Sequence, residues 1–200
     1  MLVGSRVSEG SKQRAADDAV PAMAAWRAQR VGINNPFRIT LGRSLFQLYD
    51  RSWLAPGTST KKESLEYAYR TGVVCADEIL LHPNPYPDRE SWCDARLKES
   101  ERRLSALGSD MKTVLVSHWP LIRQPTDALR FPEFAQWCGT SRTADWHTRF
   151  RAEVAVYGHL HIPRTSHYDG VRFEEVSLGY PSEWSKRPRP PEAPKKVLPA

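Results

Sequence analysis

The sequence predicts an α/β fold that carries its reactive groups at strand ends, and three observations lead there. Thr113-Val114-Leu115-Val116-Ser117 is a short, apolar, β-branched run that stops on His118. Val154-Ala155-Val156-Tyr157 is a second such run, and Gly158-His159-Leu160-His161 follows it. Segments with helical spacing stand before the first run and between the two. Buried strands alternating with helices build a largely parallel sheet, and open sheets of this kind place their sites at the strand ends.

The remaining elements follow in order. Residues 1 to about 40 mix Ala, Arg, Asp and Gln with Pro21, Gly32 and Pro36, and are expected to be poorly ordered. Ser44 to Tyr49 alternates Leu45, Phe46, Leu48 and Tyr49 and predicts a strand. Thr60 with Glu63 three residues on forms a capping box, so a helix should run from there to about Thr71, ahead of Gly72. His82-Pro83-Asn84-Pro85-Tyr86-Pro87 removes amide donors at every second position and must be a rigid loop. Asp88 caps a further helix whose face is Cys93, Leu97, Ser100, Leu104 and Leu107, closed by Gly108. Thr143 to Arg151 is expected to be helical. Val171 to Leu178 reads as a strand, reached through an Asp169-Gly170 hairpin turn. Beyond Pro181 the chain is basic and rich in proline, which predicts a disordered tail over 182–200.

The 200 residues suit one folded body, and 40% hydrophobic content is enough to give it a core. Net charge is +6, but its distribution matters more than its size. Residues 1–40 hold six Lys/Arg against three Asp/Glu and residues 182–200 hold five against two, so residues 41–181 carry eighteen of each. A neutral body argues against a nucleic-acid surface on the fold. Only the tail cations Lys186, Arg187, Arg189, Lys195 and Lys196 keep that class open, and they predict strongly salt-dependent binding. Three cysteines, Cys75, Cys93 and Cys138, are odd in number and widely spaced, which gives neither a disulfide framework nor a thiolate metal site and suits a reducing cytoplasm. No signal peptide and no membrane span is visible, so a soluble cytoplasmic protein is expected.

His118, His159 and His161 share one address, the end of a buried strand, and imidazole is the commonest protein metal ligand. A lone histidine there is usually a hydrogen-bonded loop residue; two strand ends bearing three histidines favour a metal site. Asp145-Trp146-His147 has the spacing of an Asp-x-His pair but follows Ser141-Arg142-Thr143 rather than a strand, so Asp145 is better placed as a carboxylate near a helix start. His82 and His167 have no partner nearby and are expected at the surface. Arg123 and Arg130, shortly after His118, are candidate phosphate donors. No residue stands out as the catalytic group.

Val116-Ser117-His118-Trp119-Pro120-Leu121, followed some forty residues later by Val156-Tyr157-Gly158-His159-Leu160-His161, resembles the last two motifs of the calcineurin-like metallophosphoesterases. The stretch from about Leu45 to Pro181, with Phe131 to Thr140 and Glu174 to Pro181, is further similar to an actinobacterial branch, some members of which resemble phosphopantetheinyl hydrolases acting on carrier proteins. The resemblance implies a four-layer αββα sandwich with two metal ions, Mn, Fe or Zn. It implies that His118 and His159 bind one ion and His161 the other, and that a metal-bound hydroxide hydrolyses a phosphate mono- or diester. The substrate so implied is a phosphate ester, possibly carried on a phosphopantetheinylated carrier protein.

The family's earlier Asp-x-His, Gly-Asp and Gly-Asn-His motifs do not occur in strand-end settings here. The expected architecture is therefore the C-terminal part of the sandwich over 41–181, lacking the N-terminal strands, behind a segment 1–40 foreign to the family. The alternative is a non-catalytic remnant or interaction protein that keeps this half of the fold without a binuclear centre.

Overall fold

The computed structural model describes residues 39–41, 45 and 47–185, so most of the expected 1–40 segment and the tail cations lie outside the described residues. Strand β1 (Ile39–Leu41) comes first, then helix α1 (Lys61–Arg70), a single turn α2 (Asp77–Leu80) and the long helix α3 (Arg89–Ser105). Strand β2 (Lys112–Val116) leads into three short 3-10 segments, Gln124–Ala128, Pro132–Trp137 and Ser141–Thr143. Helix α4 (Trp146–Arg149), strands β3 (Ala152–Tyr157), β4 (Arg164–Tyr168) and β5 (Val171–Glu175), and a turn α5 (Pro181–Trp184) complete the described residues.

The strands form one sheet in the order β1-β2-β3-β5-β4. The pairs β1–β2, β2–β3 and β3–β5 are parallel, and only the edge strand β4 is antiparallel. The α/β expectation thus holds, as does the hairpin turn at Asp169-Gly170, where both residues take positive φ. Buried strands explain the sequence pattern: β3 alternates too little to have a wet face, and Val154, Ala155 and Tyr157 are all buried. Phe173 on β5 is fully buried and its ring meets those of His147, Tyr157 and Tyr168.

Helices α1 and α3 start where the sequence says. The Thr60 hydroxyl accepts from the Glu63 amide while the Glu63 carboxylate accepts from the Thr60 amide, which closes the capping box. Asp88 accepts from the Ser91 amide and opens α3, whose Cys93, Leu97, Ser100 and Leu104 are buried as one stripe.

Two expectations need correction. Of the strand expected over Ser44–Tyr49, Leu45 forms a bridge to Ser117 and residues 44 and 46 lie outside the described residues; from Gln47 onward the chain is irregular because Leu48, Tyr49 and Trp53 go into the core instead of a ladder. The helix expected over Thr143–Arg151 is only Trp146–Arg149, since Phe150 and Arg151 turn the chain straight into β3, with Arg151 at φ 52°. Helix α5 also carries regular structure past residue 181, into the span expected to be tail. Among the described residues no helix is long and apolar enough to cross a membrane.

These contacts rank two substitutions. Phe173→Ala removes a fully buried ring and should cost about 3–5 kcal/mol. Thr60→Ala, which loses one exposed cap, should cost about 1 kcal/mol. Urea unfolding midpoints measure both, and a Thr60 variant less stable than the Phe173 variant would refute this ranking.

Candidate metal centre

The site is made where β2 and β3 end side by side. Ser117 donates its amide to the Val156 carbonyl at 2.9 Å, and one step on the Gly158 amide donates to the His118 carbonyl at 3.0 Å. The two histidine-bearing loops are therefore stitched together by backbone, not merely adjacent. Gly158 lies close to its surroundings: a Cβ there would stand 3.1 Å from the Ser177 hydroxyl, so a side chain would need that hydroxyl to give by a few tenths of an ångström. The sharp bend itself is at His159, which has φ 71°, and the Leu160 amide returns to the Gly158 carbonyl at 2.8 Å. A three-residue turn of this hand is rare and strained, and such strain gathers at functional sites. His161 also has positive φ, 56°.

This bend aims His159 at His118. The His159 Nδ1 lies 3.2 Å from the His118 Nε2. Around the pair stand aromatic rings: Trp119 packs edge-on to His118 at 4.6 Å between centroids, and Phe134 stacks on His159 at 6.0 Å with an interplanar angle of 21°. Each ring is itself held. Gln47, buried, donates its side-chain amide to the Trp119 carbonyl at 2.7 Å. Phe134 lies against Trp137, whose indole N–H donates to the Glu78 carboxylate at 2.8 Å, and Arg89 completes that ion pair while donating to the carbonyls of Asp77, Glu78 and Leu81. A rigid outer support fixes ligand rotamers in a site of this kind.

Burial decides the charge of the pair. His159 is pushed down to about 3, first by loss of solvent and then by the charge it would share with His118 and His161. The Trp137 backbone favours the charged ring but is not bonded to Nε2. His118 is lowered too, again by desolvation first, with Asp77 opposing; its ring keeps an exposed edge, yet dense packing around the rest makes desolvation the leading cause. Desolvation thus disfavours the charged form of both rings, and the neutral imidazole is the form that ligates metals.

Two nitrogens bound to one tetrahedral zinc-type ion at about 2.0–2.1 Å each stand about 3.3 Å apart. The 3.2 Å separation of the ring nitrogens fits that, so the pair can hold two positions of one ion's shell. His161 is not part of the pair. Its Nδ1 instead meets the Glu183 carboxylate at 2.9 Å. Among the described residues no group of three or more His, Cys, Asp or Glu side chains converges as one metal site, so the residues present do not by themselves complete a centre for two ions.

The other candidates go elsewhere. Arg123 donates to the Leu54 carbonyl at 3.0 Å and Arg130 lies over the Phe131 ring at 5.3 Å; both are exposed. His147 is buried and bonds Asp169 at 2.8 Å, so the Asp145-Trp146-His147 triplet is a helix start, as its setting suggested. His82 and His167 are exposed. Reasoning from sequence missed Glu183, which it left in the tail, and the stacking role of Phe134. Gly179, a possible turn before Pro181, was the only signal for the first.

No protein-family model matches the chain. Over 143 residues, 72% of this chain and 44% of the relative, it is 57% identical to the [acyl-carrier-protein] phosphodiesterase PptH of Mycobacterium tuberculosis (strain ATCC 25618 / H37Rv). This chain is a close homologue of PptH. The crystal structure of the phosphopantetheinyl hydrolase PptH superposes with a TM-score of 0.70 at 53% identity, covering 76% of this chain and 57% of that one. The chain therefore spans less than half the length of the curated relative it matches.

The burial argument has a titration consequence. A folded value near 3 lies below the ordinary imidazole value of 6.5, so between those limits the unfolded chain takes up a proton that the folded chain refuses. His159 then contributes fully to stability above pH 6.5, and its contribution falls as pH drops toward 3. In NMR spectra of the metal-free protein the His159 ring should stay neutral through about pH 5. A midpoint near the ordinary imidazole value would show the ring to be open to water.

Proposed function

We propose that the His118–His159 pair is the nitrogen half of a metal-dependent phosphodiesterase centre of the PptH kind, acting on phosphopantetheine esters of a carrier protein. The observation that carries this reading is the pair itself: two imidazoles whose nitrogens face each other at 3.2 Å across the ends of adjacent parallel strands. Identity of 57% to an acyl-carrier-protein phosphodiesterase over the same stretch supports the substrate class. A divalent ion such as Mn, Fe or Zn, when bound, supplies positive charge at phosphate oxygens and acidifies water.

The chain's own residues have definite parts in this reading. His118 Nε2 and His159 Nδ1 share a hydrogen bond at 3.2 Å and would turn both lone pairs to an ion once the shared proton is released, while Trp119 and Phe134 keep bulk water from the flanks of the rings. Arg123 and Arg130, exposed after His118, are the cations proposed to meet phosphate as the ester docks. The larger architecture proposed is the four-layer αββα sandwich, of which the five-stranded sheet described here is one part. Three free cysteines suit the cytoplasm as the compartment. Because two donors converge here among the described residues, acidic ligands must join them for hydrolysis.

A second reading, a chain that works by binding and not by catalysis, draws on that same short donor set. One chimera separates the two. The 143 matched residues of PptH are exchanged for those of this chain, and release of phosphopantetheine from a carrier protein is measured. Turnover within about 10-fold of PptH is expected, with loss of at least about 100-fold in the chimera bearing His159→Ala, since even outer-shell changes cost up to that much. A folded but inactive chimera, or activity that survives His159→Ala, would favour the binding reading.

A further inference from the structure

The turn α2 is built inside out. Its carboxylate Glu78 points inward, with a side chain 12% exposed, where it pairs with Arg89 at 2.8 Å and accepts from the Trp137 indole. Its apolar residues point outward. Ile79 is 76% exposed and Leu80 72%, the highest values for any large hydrophobic side chain among the described residues, and Val74 shortly before the turn is 64% exposed. Scattered apolar residues on a surface need no explanation, but a four-residue helix with its acid turned in and its isoleucine and leucine turned out does. Beside this knob lies a hole. A cavity of about 500 Å³ is bordered by Ile79 and walled by Leu81, Pro83 and Pro87. Cavities of about 300–1,000 Å³ hold whole small molecules, so one branched side chain fits there easily. Two more lining residues carry charges that meet no opposite charge among the described residues. Arg51, at φ 59°, has no hydrogen bond or ion pair, and Asp88 accepts from the Ser91 amide at the start of α3. The other lining carboxylates are taken, Glu78 by Arg89 and Glu90 by Lys61.

We propose that this face is an interface between two copies of the chain, in which Ile79 and Leu80 of each copy enter the cavity of the other and Arg51 of each pairs with Asp88 of the other. A contact about a two-fold axis uses the same patch on both sides, so the patch must complement itself. Knob beside hole, and one unpaired cation beside one unpaired anion, meet that demand. A patch of knobs alone, or of a single charge sign, would call for a foreign partner instead. The interface lies on the outer side of the turn whose inner side holds Trp137 and, through it, Phe134 against His159. It does not depend on the metal-dependent reading of that site.

A contact with so few anchors should give a weak, reversible dimer, half formed at roughly 10–100 μM. Sedimentation velocity on the full chain across that range reads it. Leu80→Asp should raise the dissociation constant by at least about 10-fold. Arg51→Glu, which sets like charges face to face, should raise it at least about 5-fold, and Arg51→Lys should leave it near the native value. Leu80 is exposed and Arg51 has no partner within the chain, so the urea midpoints of these variants should match the native one. Disulfide trapping is the second arm. Chain carrying Leu80→Cys, mixed with chain carrying Pro83→Cys, should cross-link faster than with chain carrying Ala144→Cys, an exposed position away from the cavity lining, while the three buried native thiols stay silent. A chain that is monomeric to the top of that range overturns the proposal. So does a dimer indifferent to Leu80→Asp or to Arg51→Glu, or trapping no faster at Pro83 than at Ala144.

Discussion

The hydrogen bond from the Gly158 amide to the His118 carbonyl is the constraint on which the site depends. It can form only because β2 and β3 are parallel neighbours in register, so that two loops far apart in sequence leave the sheet at one place. It sets Gly158 so close to its surroundings that a side chain there would press on Ser177, and it leaves His159 to make the turn. An imidazole forced into positive φ at the centre of a three-residue turn is costly, by about 1–3 kcal/mol for such backbone. The cost is offset by a sheet whose β2, β3 and β5 strands are buried and by rings packed on either side of His159. What it produces is a fixed direction for one nitrogen.

Electrostatics then follow from packing. Solvent is removed from His159 by Phe134, Trp119 and the Trp137 segment, and the neighbouring imidazoles make a proton still less welcome. The three thiols are governed by the same rule: burial raises Cys93 to about 12 and Cys75 to about 11, and each is a packing residue instead of a nucleophile. The support reaches well beyond the histidines. Arg89, at the start of α3, ties down α2 and Glu78; Glu78 takes the Trp137 indole; Trp137 carries Phe134 to His159. A helix that looked like plain scaffold in the sequence is therefore connected, side chain by side chain, to the surroundings of His159.

Much of this was legible beforehand. The capping box at Thr60, the apolar stripe of α3 and the two strands ending in histidine are local patterns, and local physics decides them. The strand expected over Ser44–Tyr49 failed because Leu48 and Tyr49 are drawn into the core from a non-repetitive path, a choice made by tertiary packing that alternation cannot reveal. The pairing of His118 with His159 matches the grouping the resemblance implied, but the turn at His159 and the Glu183 carboxylate on His161 could not be read from the sequence. Both depend on residues brought together across more than twenty positions, and a tail rich in Pro and basic residues gave Glu183 no distinguishing mark.

The central claim is that His118 Nε2 and His159 Nδ1 form a ready-made seat for one transition-metal ion. Crystals of the chain soaked in zinc and measured at the zinc absorption edge test it directly. The account predicts an anomalous peak between the two rings, about 2.0–2.1 Å from each of those nitrogens, with the His159 turn unchanged. Two rings joined nitrogen to nitrogen by a hydrogen bond, with no anomalous density between them at saturating zinc, would contradict it.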